Sequence, residues 1–245
     1  MGRMARKPAS RTGKSSKVPR LRRLRRFLRR WLLRGGLLVI GITMLFVGLF
    51  SIINPPTTPY MFAESRRLDG VDHSWVAMEE IAPVMARAAV AAEDADYCLH
   101  WGLDLSAIRA AMNDGTGRGG STISQQTVKN VYLWHGRSWF RKSLEALLTP
   151  VVEAIWSKRR ILEVYLNVAE FDEGVFGVEA AAEHYFGVQA RDLSPVQAAR
   201  LAAVLPDPGG RSAARPSDFV RARAANIIDG AATIRKDGRA DCFED

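Results

Sequence analysis

Cysteine is nearly absent from this chain of 245 residues: Cys98 and Cys242 are its only two. Two cysteines are too few for a disulfide-stapled scaffold, so stability has to come from a core. Acidic residues are missing altogether from positions 1–34, where fourteen of the 35 lysines and arginines lie. Beyond that point 21 cations face all 26 acids, a net of −5, so the overall charge of +9 belongs to the tail. A basic folded domain with a footprint on nucleic acid is therefore disfavoured. Strand-like alternation is scarce, and no repeat of fixed period is visible. No His, Cys and carboxylate spacing reads as a committed metal centre. A Walker phosphate loop is excluded, because no Gly-Lys-Ser/Thr follows the glycines at 117–120.

What the chain does have is one uncharged apolar run, Gly35 to Ile53. At about 1.5 Å per residue it spans roughly 28 Å, close to the hydrocarbon thickness of a bilayer. Arg29, Arg30 and Arg34 abut one end and Asn54-Pro55-Pro56 the other, which suits a membrane span better than a buried core helix. A cleaved signal peptide needs a shorter apolar stretch and a small-residue cleavage site; neither is convincing, so the segment reads as an uncleaved anchor. The Lys/Arg excess before it keeps the N-terminus cytoplasmic and sends everything after Asn54 across the membrane. The arginine pairs between Arg22 and Arg30 also suit anionic lipid headgroups, although a topology signal alone accounts for them. The expected organisation is a basic cytoplasmic tail at 1–34, a transmembrane helix at 35–53, a linker at 54–64, extended from Pro55 to Pro59, a folded domain at 65–235 and a C-terminal tail at 236–245.

The folded part reads as mainly α. Ile81 to Ala92 is an alanine-rich helix candidate. Leu144, Leu147, Leu148, Val151, Val152 and Ile155 recur at helical spacing, as do Ile161, Leu162, Tyr165 and Leu166. Pro150 falls inside the first series and predicts a kink or break at Thr149. Ser194-Pro195-Val196-Gln197 supplies an N-cap, a proline at the first helical position and a capping-box glutamine, opening a helix that Pro206 and Pro208 stop.

Three features carry chemistry. Glu93-Asp94 ends the alanine-rich helix and is followed by Tyr97, His100 and Gly102, so a carboxylate leaves an apolar helix at a turn. Partial desolvation there raises its pKa toward neutrality, which suits a general base acting on a sugar hydroxyl; an ordinary helix-end acid pair is the plainer alternative. Gly117 to Gln126 is a glycine loop running into Ser121, Thr122, Ser124, Gln125 and Gln126, side chains that hydrogen-bond the neutral groups of sugars. Its plainer reading is a mobile surface loop. From Lys129 to Arg160 the cations Lys129, Arg137, Arg141, Lys142, Lys158, Arg159 and Arg160 face only Glu145 and Glu153, a local +5. Fixed cations can hold a diphosphate and stabilise it as a leaving group, while an i,i+4 pair between Arg141 and Glu145 accounts for some of the charge without a ligand. Asp172 and Glu173 in Phe-Asp-Glu-Gly read as a loop rather than a metal site.

Four ordered motifs then match a known pattern. Glu93-Asp-x-x-Tyr97-x-x-His100-x-Gly102, Gly120-Ser-Thr-Ile-x-Gln125-Gln126-x-x-Lys129-Asn130, Arg141-Lys142-x-x-Glu145 and Lys158-x-x-Ile161-Leu-Glu-x-Tyr165-Leu-Asn167 resemble the peptidoglycan glycosyltransferases over residues 65–210. Length and single anchor resemble the monofunctional biosynthetic transglycosylases. The resemblance implies a lysozyme-like, two-lobed helical domain that polymerises lipid II on the outer face of the bacterial cytoplasmic membrane. By motif position Glu93 is the general base, Glu145 the second carboxylate on the leaving-group side, Lys129 and Arg137 the cations that hold the diphosphate, and Ser121, Gln125 and Gln126 the sugar-contacting set, with Arg141 and Lys142 among the substrate-binding residues. It implies no obligatory cofactor, with a divalent cation (Mg or Mn) optional at the diphosphate. Implied partners are lipid II, nascent glycan strands and the membrane, with penicillin-binding transpeptidases and division or elongation proteins as further candidates and no nucleic acid.

Two departures stand out. Tyr97 replaces the usual Phe and needs a partner for its hydroxyl. Pro150 interrupts the helix that carries Glu145. None of the fifteen serines has Lys three positions later, so the Ser-x-x-Lys of a transpeptidase is absent. Two other classes compete with synthesis: a lysozyme-like hydrolase, which has no use for the diphosphate-holding cations, and an anchored interaction protein with vestigial motifs, which the intact carboxylates disfavour.

Overall fold

A computed structural model describes residues 2, 18–105, 109, 120–136 and 138–244. Of the residues singled out above, Arg137 and the glycine loop at 117–119 lie outside the described residues. The chain divides into two units, Met1–Gly48 and Leu49–Asp245.

The first unit is helical from residue 18. Helix α1, Val18–Phe50, starts well before the apolar run, since the leucines and arginines preceding it are good helix formers. Most of its described large apolar side chains are exposed, Leu37 68% and Ile40 56%. A soluble domain rarely leaves so contiguous an apolar surface open. The stretch Arg23–Phe50 is long and apolar enough to cross a bilayer, and Ile52 and Ile53 fall in the turn after the helix.

In the second unit, helix α2 (Pro59–Leu68) begins inside the segment read as linker. Thr58 caps it, accepting a hydrogen bond from the Met61 amide (3.1 Å), and Pro59 occupies the first turn, where no N–H is missed. The remaining helices are α3 (Pro83–Glu93), α4 (Ile123–Tyr132), α5 (Trp139–Ile155), α6 (Lys158–Val168), α7 (Val178–Phe186), α8 (Pro195–Val204), α9 (Asp218–Lys236) and the short α10 (Asp241–Glu244). Three short strands, β1 (Asp72–His73), β2 (Glu170–Asp172) and β3 (Val175–Phe176), make one small sheet in the order β1-β3-β2. Asp172 therefore lies in a strand and Glu173 in the turn after it.

Two helix groups build the core. Helices α3, α8 and α9 pack on one another through small side chains, Ala86, Ala88 and Ala89 on α3 and Ala198, Ala199, Ala202 and Ala203 on α8, all buried. Helix α4 packs between α5 and α6, where Ile161, Leu162 and Leu166 are fully buried, each worth about 1.5–3 kcal/mol.

Helix α5 is uninterrupted from Trp139 to Ile155 with Pro150 inside, so the break predicted at Thr149 does not occur. Thr149 is fully buried, and its hydroxyl donates to the Glu145 carbonyl (2.7 Å) on that turn. It also packs against Gly102: a Cβ there would lie 2.5 Å from Thr149 Cγ2, and Gly102 adopts φ +73°. Tertiary packing thus holds the helix through the proline and sets α5 against the turn after α3.

Candidate active site

Glu93 is the last residue of α3, where the chain leaves the helix. Its side chain is mostly buried, 13% exposed. Gln126 Nε2 donates to one carboxylate oxygen (3.0 Å), and Arg223 Nη2 stands 3.8 Å from the other. Burial pushes the carboxyl above its ordinary value, opposed by the Gln126 hydrogen bond and by the charges of Arg223, Lys129 and Arg211. A carboxylate that is poorly compensated and reachable can accept a proton near neutral pH.

Asp94, its neighbour in sequence, does a different job. One oxygen meets His100 Nε2 (2.7 Å) and the other accepts the Ile123 amide (2.9 Å), at the first residue of α4. An acid there satisfies an orphan amide and complements the helix dipole. Thr122 and Gln125 complete that N-terminus as a capping box, and the Thr122 hydroxyl donates to the Gly102 carbonyl (2.6 Å). Gln125 is therefore engaged in the cap and 3% exposed, whereas Gln126, one residue on, reaches Glu93.

One helical turn beyond Gln126 lies Lys129. Burial lowers its pKa, aided by the charges of Arg141 and Lys142 and opposed by those of Glu145 and Glu93, and the residue lines a cavity together with Gln126. Among the described residues no hydrogen bond or ion pair is recorded for that ammonium. Glu145 is the opposite case. Arg141 Nη1 holds one of its oxygens (2.7 Å), Lys142 Nζ holds the other, and Lys142 also donates to Ser121 Oγ (2.9 Å). Ser121, Arg141, Lys142 and Glu145 thus come together.

Two cavities flank this arrangement. One of about 310 Å³ is lined by Glu93, Asp94, Asp104 and Ser121; the other, about 230 Å³, is lined by Gln126, Lys129, His135, Tyr165 and Glu170. The Glu93–Gln126 hydrogen bond joins them. His135 is driven down to about 4 by burial and by Lys129 and Arg141, so it is neutral at physiological pH. Among the described residues no group of three His, Cys, Asp or Glu side chains is placed to hold a metal ion.

The cation run does not act as one patch. Lys158 pairs with the buried Glu153 (2.8 Å), Arg159 with Glu79 (2.7 Å), and Arg160 with Glu163 (3.1 Å) and the Phe50 and Ile53 carbonyls. These three are scaffold. So is Asn167, fully buried and bonded to Val76 and the Glu163 carbonyl; Gly177 (φ +86°) packs where a Cβ would lie 2.8 Å from its oxygen. Tyr97 has the partner its hydroxyl needs, the Lys158 carbonyl (2.8 Å). Arg223 is the residue that sequence reasoning missed: an Arg-x-Arg pair on a late helix carries no sign that one member reaches Glu93.

A sequence profile described as Transglycosylase matches residues 62–232. The chain is 59% identical to a biosynthetic peptidoglycan transglycosylase of Jannaschia sp. (strain CCS1) over 236 residues, covering 96% of this chain and 99% of that protein. Proteins of the same name from Caulobacter vibrioides (45% over 223 residues; 89% and 97% covered) and Escherichia coli O127:H6 (48% over 217 residues; 82% and 88% covered) are also similar. With the profile spanning most of the chain and relatives of one name covered nearly end to end, this protein belongs to the transglycosylase family.

Proposed function

We propose that this protein is a peptidoglycan glycosyltransferase of cell wall synthesis that polymerises glycan strands from lipid II. The observation that carries the reading is a poorly compensated carboxylate, Glu93, lining one cavity with Ser121 and hydrogen-bonded to Gln126 of the cavity that Lys129 lines, while a doubly paired carboxylate, Glu145, holds Arg141 and the Lys142 that reaches Ser121.

Glu93 takes the proton from the acceptor's sugar hydroxyl in the cavity it lines. The freed oxygen attacks the anomeric carbon of the growing chain from the face opposite the diphosphate, forming a β-1,4 link with inversion. The carbon–oxygen bond to undecaprenyl diphosphate breaks, and the leaving group departs with the electron pair. Lys129, with Arg141 and Lys142 held by Glu145, meets that developing charge; preorganised cations stabilise it more than water does. Arg137 belongs to the same set by sequence position. Gln126 orients Glu93, and Ser121 contacts sugar beside Lys142. Both oxygens of Glu145 are already engaged by cations, so an optional Mg or Mn ion would be held chiefly by the diphosphate itself.

The absence of Ser-x-x-Lys supports a monofunctional enzyme, with crosslinking left to another protein. The tail of arginines before α1 supports a cytoplasmic N-terminus and a catalytic domain on the outer side, and the Cys98–Cys242 disulfide agrees with an oxidising compartment.

The test is a reaction of the detergent-solubilised full chain with labelled lipid II and, separately, with preformed glycan, resolved by product size. Polymer from the lipid substrate with release of lipid diphosphate is expected. Cleavage of preformed glycan without polymer would transfer the reading to a hydrolase.

A further inference from the structure

The last residues, expected from sequence to be a tail, are built into the support of the turn that follows Glu93. Cys242, on α10, is bonded to Cys98 across 144 positions of sequence. Phe243 beside it is fully buried, with its ring 6.3 Å from that of Tyr97. Arg159 donates to the Phe243 carbonyl (2.9 Å), and the largely buried Arg87 of α3 pairs with Glu244. From the adjoining turn, Arg239 donates to the Ala95 carbonyl (3.0 Å) and pairs with Asp96 (3.2 Å). The covalent link and the Arg239 contacts land on residues 95–98, between Glu93 and His100, while Arg87 ties α10 to the helix that carries Glu93.

We propose that residues 237–244 are a positioning element of the active site, which the Cys98–Cys242 disulfide clamps onto the 94–100 turn so that Glu93 is held in its productive orientation. The turn's inner side is anchored without the chain end: Asp94 reaches α4 and His100, Tyr97 reaches the Lys158 carbonyl, and the Lys158 ammonium donates to the His100 carbonyl (2.8 Å). Its outer side, Ala95, Asp96 and Cys98, is held by the C-terminal segment. Neither cysteine touches the reacting atoms. Closure proceeds by thiol–disulfide exchange: one cysteine thiolate attacks the disulfide of an oxidised dithiol protein, and the second displaces it from the mixed disulfide. Two electrons and two protons pass to that donor, so full activity requires export to a compartment that supplies such an oxidant.

The inference rests on the reading of Glu93 as the base, and the test separates the two. The full chain in detergent is assayed on lipid II in three forms: oxidised wild type, wild type reduced until both thiols titrate, and Cys242→Ser. Circular dichroism and melting are recorded at the assay temperature. The expected result for both open forms is a kcat lower by roughly ten- to a hundredfold, with KM within about twofold and the fold retained. An unchanged kcat with both thiols free would overturn the proposal. So would a loss of activity that only tracks loss of helical signal, since the disulfide would then be a plain stabiliser. An oxidised wild type that makes no polymer would overturn the functional reading itself, and this inference with it.

Discussion

The end of α3 and the first turns of α5 each bury a carboxylate, and they treat it in opposite ways. Glu145, with its side chain 3% exposed, has a cation on each oxygen, Arg141 and Lys142. Glu93 has a neutral amide on one oxygen and a guanidinium 3.8 Å from the other. A carboxylate with both oxygens engaged by cations is an organiser of positive charge. One that is desolvated and left half-compensated has a use for a proton. The difference supports the separate roles proposed for two glutamates that look alike in sequence.

The harshest way to break the comparison is Glu93→Gln, which keeps shape and removes the base. Turnover of lipid II is expected to fall by roughly two to four orders of magnitude with the circular dichroism spectrum unchanged. Near-normal turnover would move the base elsewhere.

Glu145→Gln tests the other side. Arg141 and Lys142 lose their anchor, so a fall in turnover of about ten- to a hundredfold is expected. A stability loss of up to about 3 kcal/mol by denaturant titration should accompany it, at the low end for a broken buried pair because Lys142 is partly solvated. Loss of turnover with no loss of stability would contradict the organiser role.

Arg223→Gln sharpens the comparison rather than breaking it. The charges facing Glu93 are Arg223, Lys129 and Arg211, each favouring its ionised form. Removing Arg223 raises the Glu93 pKa further, and the base works only when ionised. The acid limb of kcat/KM should therefore move to higher pH, and Arg223→Lys should restore part of the shift. A limb that stays in place would reduce Arg223 to packing.

The smallest effect is on melting. Burial raises the Glu93 pKa in the fold above its ordinary 4.5. Charged Glu93 therefore costs stability above its folded pKa, and the cost vanishes below about 4.5, where folded and unfolded chains are both protonated. Glu93→Gln should melt higher than wild type near neutral pH, and the gain should fade as pH drops toward 4.5.

Much of the helical frame was legible. The capping signal at Ser194 marks a helix start where α8 begins, because a cap is decided by residues three apart, whereas the same spacing at Thr122 and Gln125 falls in the loop expected to contact sugar and proves to cap α4. Glu93 was legible as the end of an apolar helix for the same local reason. At Pro150 the helix runs on without a break: the proline's cost to α5 is local, and the packing of Thr149 against Gly102 that supports it comes from 47 positions away. The run from Lys129 to Arg160 looked like one charged patch because sequence shows charge without partners. Glu79, Glu153 and Glu163 divide it, leaving Lys129, Arg141 and Lys142 among the described cations at the site.

By itself the sequence determined the long apolar N-terminal helix, the mainly helical class and the motifs, because hydropathy, periodicity and capping act over a few residues. Only the tertiary structure decided which carboxylate is doubly ion-paired and which is not, that Arg223 faces Glu93, that Gln125 caps while Gln126 reaches Glu93, and that the chain end is bonded to the turn beside Glu93. Those outcomes depend on contacts between segments distant in sequence and on burial, and both arise only when the helices pack.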